Sequence, residues 1–221
     1  MIMWPILALA FAGLEALAVR QNLTRLEYIA KPAVMVSLLL WLVLEGGLQN
    51  NLLWFGVGII FSLAGDILLM ISLDRLCIPG LATFLLAHLS YLIGFQEQLL
   101  NVTIWSFLLL FFIFLNVIRL LRRIVSAMRS NRLDRLVYPV ILYSLVVSLM
   151  LYAAMSTIFD PAWGTAAAFF VSAGAFLFWL SYLILAWNKF VTPIRNSRMI
   201  NILAYHLGQI GLIAGVISQF G

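Results

Sequence analysis

Charge is scarce in this chain. Lys, Arg, Asp and Glu together make up 10% of its 221 residues, too few to cover the surface that a soluble domain of this length exposes. Cysteine is almost absent: Cys77 stands alone, which excludes an internal disulfide framework and leaves a small apolar residue as its simplest reading. Two histidines with no H-E-x-x-H or C-x-x-C spacing give no metal site, and no cofactor is implied. Phosphate-cradling Gly-rich loops are missing, and so is a G-x-S-x-G nucleophile elbow, which disfavours nucleotide chemistry and serine hydrolysis. No linker-like shift in composition divides the chain, so one domain over 1–221 is expected.

What is there instead is hydrocarbon. Apolar residues make up 65% of the chain, and mean hydropathy is +1.11. Runs long enough to cross a bilayer core of about 30 Å fall near 3–19, 32–48, 52–72, 79–96, 102–120, 137–158, 162–187 and 200–219. The expected fold is therefore all-α, a polytopic bundle of about eight membrane helices. Lys31-Pro32 suits a helix start, because proline is tolerated in a first turn. Glu45-Gly46-Gly47, Pro79-Gly80 and Asp160-Pro161 mark turns. Met1–Val19 lacks a basic leader and a small-residue cleavage site and reads as the first span.

Every basic residue falls in an odd-numbered connection. Arg20, Arg25 and Lys31 lie in the first and Arg75 in the third; Arg119, Arg122, Arg123, Arg129, Arg132 and Arg135 lie in the fifth, and Lys189, Arg195 and Arg198 in the seventh. The net charge of +5 thus reads as membrane orientation rather than nucleic-acid binding: odd connections cytoplasmic, both termini on the other side. The stretch 119–135 is either a segment attracted to anionic headgroups or a loop that only sets topology. The glycosylation sequons at Asn22 and Asn101 are weak signals, one on the cytoplasmic side and one in a very short loop.

Ionisable groups inside such a bundle are costly and mark function or a satisfied contact. Asp66 stands one turn after Ser62 on the third span, whose Gly58, Ser62, Gly65 and Ser72 form a small-residue face. A carboxyl there either pairs with a cation or stays protonated and can donate. Phe84, His88, Tyr91 and Phe95 share one face of the fourth span; Asn201, Tyr205 and Gln209 share one of the eighth, which then offers Gly211 and Gly215 for close packing. Ser144, Ser148, Tyr152 and Ser156 recur every four residues on the sixth and suit packing with backbone-bonded hydroxyls. With Lys31, Glu15, Tyr182 and Asn188, most of these polar groups fall in the cytoplasmic half of the bundle. A polar pocket open to the inner leaflet follows, and its natural partner is an amphiphile: a lysophospholipid or another single-chain lipid.

Several short motifs in order resemble the YhhN/TMEM86 family of eight-span membrane proteins. They are Lys31-Pro32, F-S-L-A-G-D-I-L-L at 61–69, A-H-L-S-Y at 87–91, P-V-I-L-Y at 139–143, G-A-F-L-F-W-L-S at 174–181, L-A-W-N-K-F at 185–190 and A-Y-H-L-G-Q at 204–209. The resemblance implies a lysoplasmalogenase, which hydrolyses the vinyl ether bond of a lysoplasmalogen to a fatty aldehyde and a glycerophospho-alcohol. It implies Asp66, His88 and Tyr91 as catalytic groups, and Lys31, Tyr143, Tyr182, Tyr205 and Gln209 around the substrate. The family typically reads Ser-Asp where this chain has Ser181-Tyr182, so only one of two intramembrane aspartates, the suspected catalytic pair, remains. A lysolipid-binding relative without turnover is the alternative that Tyr182 raises. A small transporter is a third reading, which the lack of an internal repeat and of broken-helix pairs disfavours.

Overall fold

The computed structural model describes residues 3–72, 76–100 and 102–221; Arg75, Asn101 and the side chain of Cys77 lie outside the described set. Helices account for nearly all of the described residues, and no strand occurs among them. In chain order they are α1 (Met3–Gln21), α2 (Thr24–Trp41, continued by a π turn at Leu42–Gly46), α3 (Asn50–Ile71), α4 (Cys77–Gly94), the one-turn α5 (Gln96–Leu100), α6 (Ile104–Ser130), α7 (Asp134–Ser156), α8 (Thr165–Phe190) and α9 (Ser197–Phe220). Among the described residues, seven helices are long and apolar enough to cross a membrane, and the apolar stretch Ile78–Gly94 of α4 is a shorter eighth. The chain is an integral, multi-pass membrane protein.

Packing follows the small residues. Gly58 and Gly65 of α3 face the rings of Tyr91 and Phe84 on α4, and α8 and α9 meet where Gly174 sits against Gly208 and Gly211. The largest buried cluster draws side chains from all eight long helices, among them Val34, Phe55, Phe84, Tyr143, Phe178 and Ile213. Large apolar side chains cover the outside as well: Phe112 on α6 and Phe169 on α8 are each 66% exposed. That surface suits lipid and would be a liability in water. Several serine hydroxyls inside the bundle bond to their own helices, as Ser144 donates to the Val140 carbonyl at 2.7 Å and Ser156 to that of Tyr152 at 2.8 Å. Ser148 differs, accepting from the Trp179 indole at 3.0 Å.

Two boundaries depart from the hydropathy reading, for one physical reason. α2 begins at Thr24, so Lys31-Pro32 lies inside the helix rather than at its start. Proline there removes one N–H from the ladder, and the surrounding bundle holds the helix regardless. α6 continues to Ser130, carrying Arg119, Arg122, Arg123 and Arg129 on helix instead of loop. Its last turns bury Ile124 and Met128 against Val137, Val140, Ala186 and Phe190, while Arg123 lies 5.1 Å above the Trp187 ring. In both places polar helical turns continue an apolar span, and a hydropathy pattern ends where the charges begin. Of the turns expected at Glu45-Gly46-Gly47 and Pro79-Gly80, the first falls at Gly47, with φ 75°, a conformation that favours glycine, after Glu45 and Gly46 have completed the π turn. Pro79 and Gly80 lie instead in the first turn of α4, where proline is tolerated.

Candidate active site

A cavity of about 650 Å³ opens at the end of the bundle where α2 and α9 begin and α3 and α8 finish. Its inner end holds the one intramembrane carboxylate of α3. Asp66, 1% exposed, sits five residues before the last residue of its helix. Lys31 of α2 places Nζ 3.0 Å from Asp66 Oδ1, and the Tyr205 hydroxyl of α9 donates to Oδ2 at 2.8 Å. Three helices therefore converge on one carboxyl group. The Tyr205 ring is held in turn by edge contacts with Phe84 and Phe178, 5.8 and 5.3 Å between centroids. The geometry thus puts a lysine within ion-pair distance of Asp66, the first of the two arrangements open to this carboxyl.

The remaining residues singled out from the sequence divide into two groups. Lys31, Tyr143, Tyr182 and Tyr205 line the cavity together with Asp66. The Tyr182 ring lies 4.6 Å from that of Tyr143, and its hydroxyl is 2.6 Å from Ser144 Oγ, so it braces α8 on α7. His88, Tyr91 and Gln209 lie one layer behind the wall. Nδ1 of His88 donates to the Phe84 carbonyl at 2.5 Å, and the ring is enclosed by Tyr143 and Phe178. Nε2 of His88 has no hydrogen-bond partner among the described residues. Tyr91 donates to Gln209 Oε1 at 2.8 Å, and Gln209 Nε2 donates to Ser62 Oγ at 3.0 Å. That relay ties α4, α9 and α3 together beneath Asp66, supporting the pocket floor without reaching the cavity.

Sequence reasoning missed two pairs. Glu27 on α2 and Arg198 on α9 form an ion pair at the cavity mouth. The spacing of Glu27 and Lys31, one turn apart on one helix face, was the available signal. Glu15 of α1 and His206 of α9 are fully buried and bonded to each other, and Glu15 Oε1 and His206 Nδ1 lack further partners among the described residues. Removing one member leaves the other buried and alone, a change that typically costs about 3–5 kcal/mol. Glu15→Ala and His206→Ala are each expected to lower the unfolding temperature in detergent far more than Glu15→Leu combined with His206→Leu. Equal losses in all three variants would show that the pair itself is what stabilises.

The YhhN family model matches residues 26–216. The mouse (Mus musculus) protein "Lysoplasmalogenase TMEM86B" is 28% identical over 202 residues, spanning 86% of this chain and 74% of that protein. No solved structure matches the chain. The matched span runs from the first turn of α2 nearly to the end of α9, and so contains every side chain lining the cavity except Thr24.

Proposed function

The chain belongs to the YhhN family, and from that membership and the chemistry of the cavity we propose that it is a membrane lipid hydrolase that cleaves the vinyl ether bond of lysoplasmalogens. The observation that carries this reading is the buried carboxylate of Asp66, held between Lys31 and Tyr205 at the inner end of a cavity otherwise lined largely by apolar side chains. A vinyl ether is opened by protonating its β-carbon, which leaves an oxocarbenium ion for water to capture. The resulting hemiacetal collapses to aldehyde and alcohol.

One ammonium–carboxylate pair can manage that proton. Donation from the Lys31–Asp66 pair to the β-carbon leaves a neutral amine beside a carboxylate, so a negative charge faces the cation just formed. When water adds to the cation, its proton returns to the pair, and the resting state is restored. The hemiacetal then passes its hydroxyl proton to the departing glyceryl oxygen, with no net demand on the protein. Tyr205 keeps Asp66 oriented through the cycle by its hydrogen bond. On this account a second aspartate is dispensable, which fits Tyr182 at the family's second acidic position. With all 13 basic residues falling, along the sequence, in or beside the odd-numbered connections, we read the mouth as facing the cytoplasmic leaflet, from which a single-chain lipid enters headgroup outermost. The direct test is aldehyde release from a lysoplasmalogen by purified protein in micelles; none at any protein concentration would remove the hydrolase reading.

Tyr182 favours a second reading, a lysolipid-binding protein without turnover. Its hydroxyl is engaged with Ser144 and presents no anion to the cavity. Tyr182→Asp separates the two. If the protein binds lipid without cleaving it, this variant gains aldehyde release that wild type lacks. If Lys31–Asp66 suffices, wild type already turns over, and Tyr182→Asp changes the rate less than about tenfold because its new carboxylate adds to a complete acid/base pair.

A further inference from the structure

The wall of the cavity carries two ion pairs, one above the other. Glu27 and Lys31 occupy successive turns on one face of α2, and each meets a charge from a different helix. Lys31 pairs with Asp66 of α3 at 3.0 Å, and Glu27 pairs with Arg198 of α9 at 2.5 Å. All four residues line the same cavity. Their exposure differs sharply: the side chains of the inner pair are 15% and 1% exposed, whereas the Arg198 side chain is 61% exposed. Lys31 is turned inward to Asp66. Arg198 is the cation that an entering ligand meets at the mouth, and among the described residues only its Nη2 is committed, to Glu27, which leaves further N–H donors of the guanidinium fork for a ligand.

We propose that Arg198 binds the phosphate of a single-chain phospholipid, with Glu27 steadying the guanidinium, and that the spacing of the two pairs sets which bond of the lipid reaches Asp66. The inference deepens the hydrolase reading by assigning the substrate's headgroup contact, although phosphate binding does not itself depend on turnover. Four residues of α-helix advance about 6 Å, close to the extended reach of a glyceryl unit from its phosphorus to the oxygen that carries its chain. A phosphate on Arg198 therefore sets the first ether bond of the chain at the level of Lys31 and Asp66. Beside them, Leu81, Phe84 and Phe178 give the same cavity an apolar wall for the chain. A guanidinium suits this role better than an ammonium, because its planar fork can engage a phosphate through two N–H groups while a third holds the carboxylate.

The test compares two saturated ether probes of the same chain length, a 1-O-alkyl lysophosphatidylcholine and the corresponding 1-O-alkylglycerol without phosphate. Their dissociation constants are measured in micelles for wild type, Arg198→Gln and Arg198→Lys, with thermal unfolding as the check on folding. Wild type is expected to prefer the phosphate-bearing probe by about ten- to a hundredfold, the worth of a charge-assisted hydrogen-bonded contact. Arg198→Gln should lose most of that preference and Arg198→Lys only part of it. On the alkenyl forms of the same lipids, Arg198→Gln should raise KM for the phosphate-bearing substrate and lower kcat as well, because the ether bond is no longer held at the level of Asp66. A preference that is absent in wild type or unchanged in Arg198→Gln overturns the proposal. Wild type that shows the Arg198-dependent preference but releases no aldehyde retains the phosphate site and removes the hydrolase reading instead. Aldehyde release with a preference indifferent to Arg198 does the reverse.

Discussion

Asp66→Asn is expected to lower the rate of aldehyde release from a lysoplasmalogen by at least about a thousandfold, since it removes both proton transfer and charge stabilisation from one centre. Asparagine matches the shape of the side chain and can still accept from the Tyr205 hydroxyl, so the cavity keeps its form. What it cannot do is take part in proton exchange with Lys31 or present a negative charge to an oxocarbenium ion. The variant also strands the Lys31 ammonium, which now sits 15% exposed against a neutral amide. Loss of one partner from a buried pair costs about 3–5 kcal/mol, so stability and activity fall together, and a rate measurement alone would be ambiguous. The second partner resolves this. Lys31→Met with Asp66→Leu removes both charges, and replacing a buried pair by apolar residues of similar size is often neutral. The double variant should therefore unfold close to the wild-type temperature while remaining inactive. Full activity in Asp66→Asn would take this carboxyl out of the reaction, and activity in the stable double variant would take the whole pair out.

The contrast between those two measurements reflects what the sequence made visible. A carboxyl within an apolar run, beside glycine and a turn after serine, announces itself, because a bilayer tolerates such a group only inside a bundle. The polar face of α9 was equally legible: Tyr205 reaches Asp66, and Gln209 reaches Ser62 and Tyr91. Periodicity gave the correct face of α4 too, yet not its depth. His88 shares a face with Phe84 and Tyr91, but Phe84 lines the cavity whereas His88 lies behind Tyr143 and Phe178. Helical spacing says which residues point together and is silent on which layer of the bundle receives them.

Hydropathy failed in a different way. The first two turns of α2 contain Arg25, Glu27 and Lys31, a composition that reads as loop, and they are helical because the cavity and α9 supply partners for the charges. The bond between Glu15 and His206 joins residues 191 positions apart. No local pattern encodes such a partnership. It exists because α1 and α9 pack side by side, a contact decided by the whole bundle. Functional polar groups in this chain were thus readable one at a time, and their pairings were not.

The pairings rest on how closely α8 and α9 approach, and that closeness makes Gly174 the position where a single methyl group should do the most damage to the fold. A Cβ at 174 falls against Leu212 N, 2.7 Å from the Gly208 carbonyl oxygen and 2.8 Å from Gly211 C. All three are backbone atoms of α9, with no flexible side chain to give way. A Cβ at Gly208 meets Phe178 N at 2.7 Å and Gly174 O at 2.9 Å, so the contact is closed from both sides. Relief requires the helices to separate. Overpacking of this kind costs about 1–3 kcal/mol where side chains can shift, and more is expected here because the backbone must move. The displaced helices are those that carry Asn201, whose amide donates to the Ser181 carbonyl at 2.6 Å, and Tyr205, whose hydroxyl holds Asp66. Gly174→Ala should therefore lower the unfolding temperature strongly and, in the fraction that remains folded, slow aldehyde release by loosening Asp66. Gly13→Ala is the matched control: nothing lies within 4 Å of a Cβ there, and alanine is the better helix former. That variant should match or slightly exceed wild-type stability. A Gly174→Ala protein that unfolds with Gly13→Ala would mean that α8 and α9 do not pack backbone to backbone, and the alignment of Tyr205 on Asp66 would need another cause.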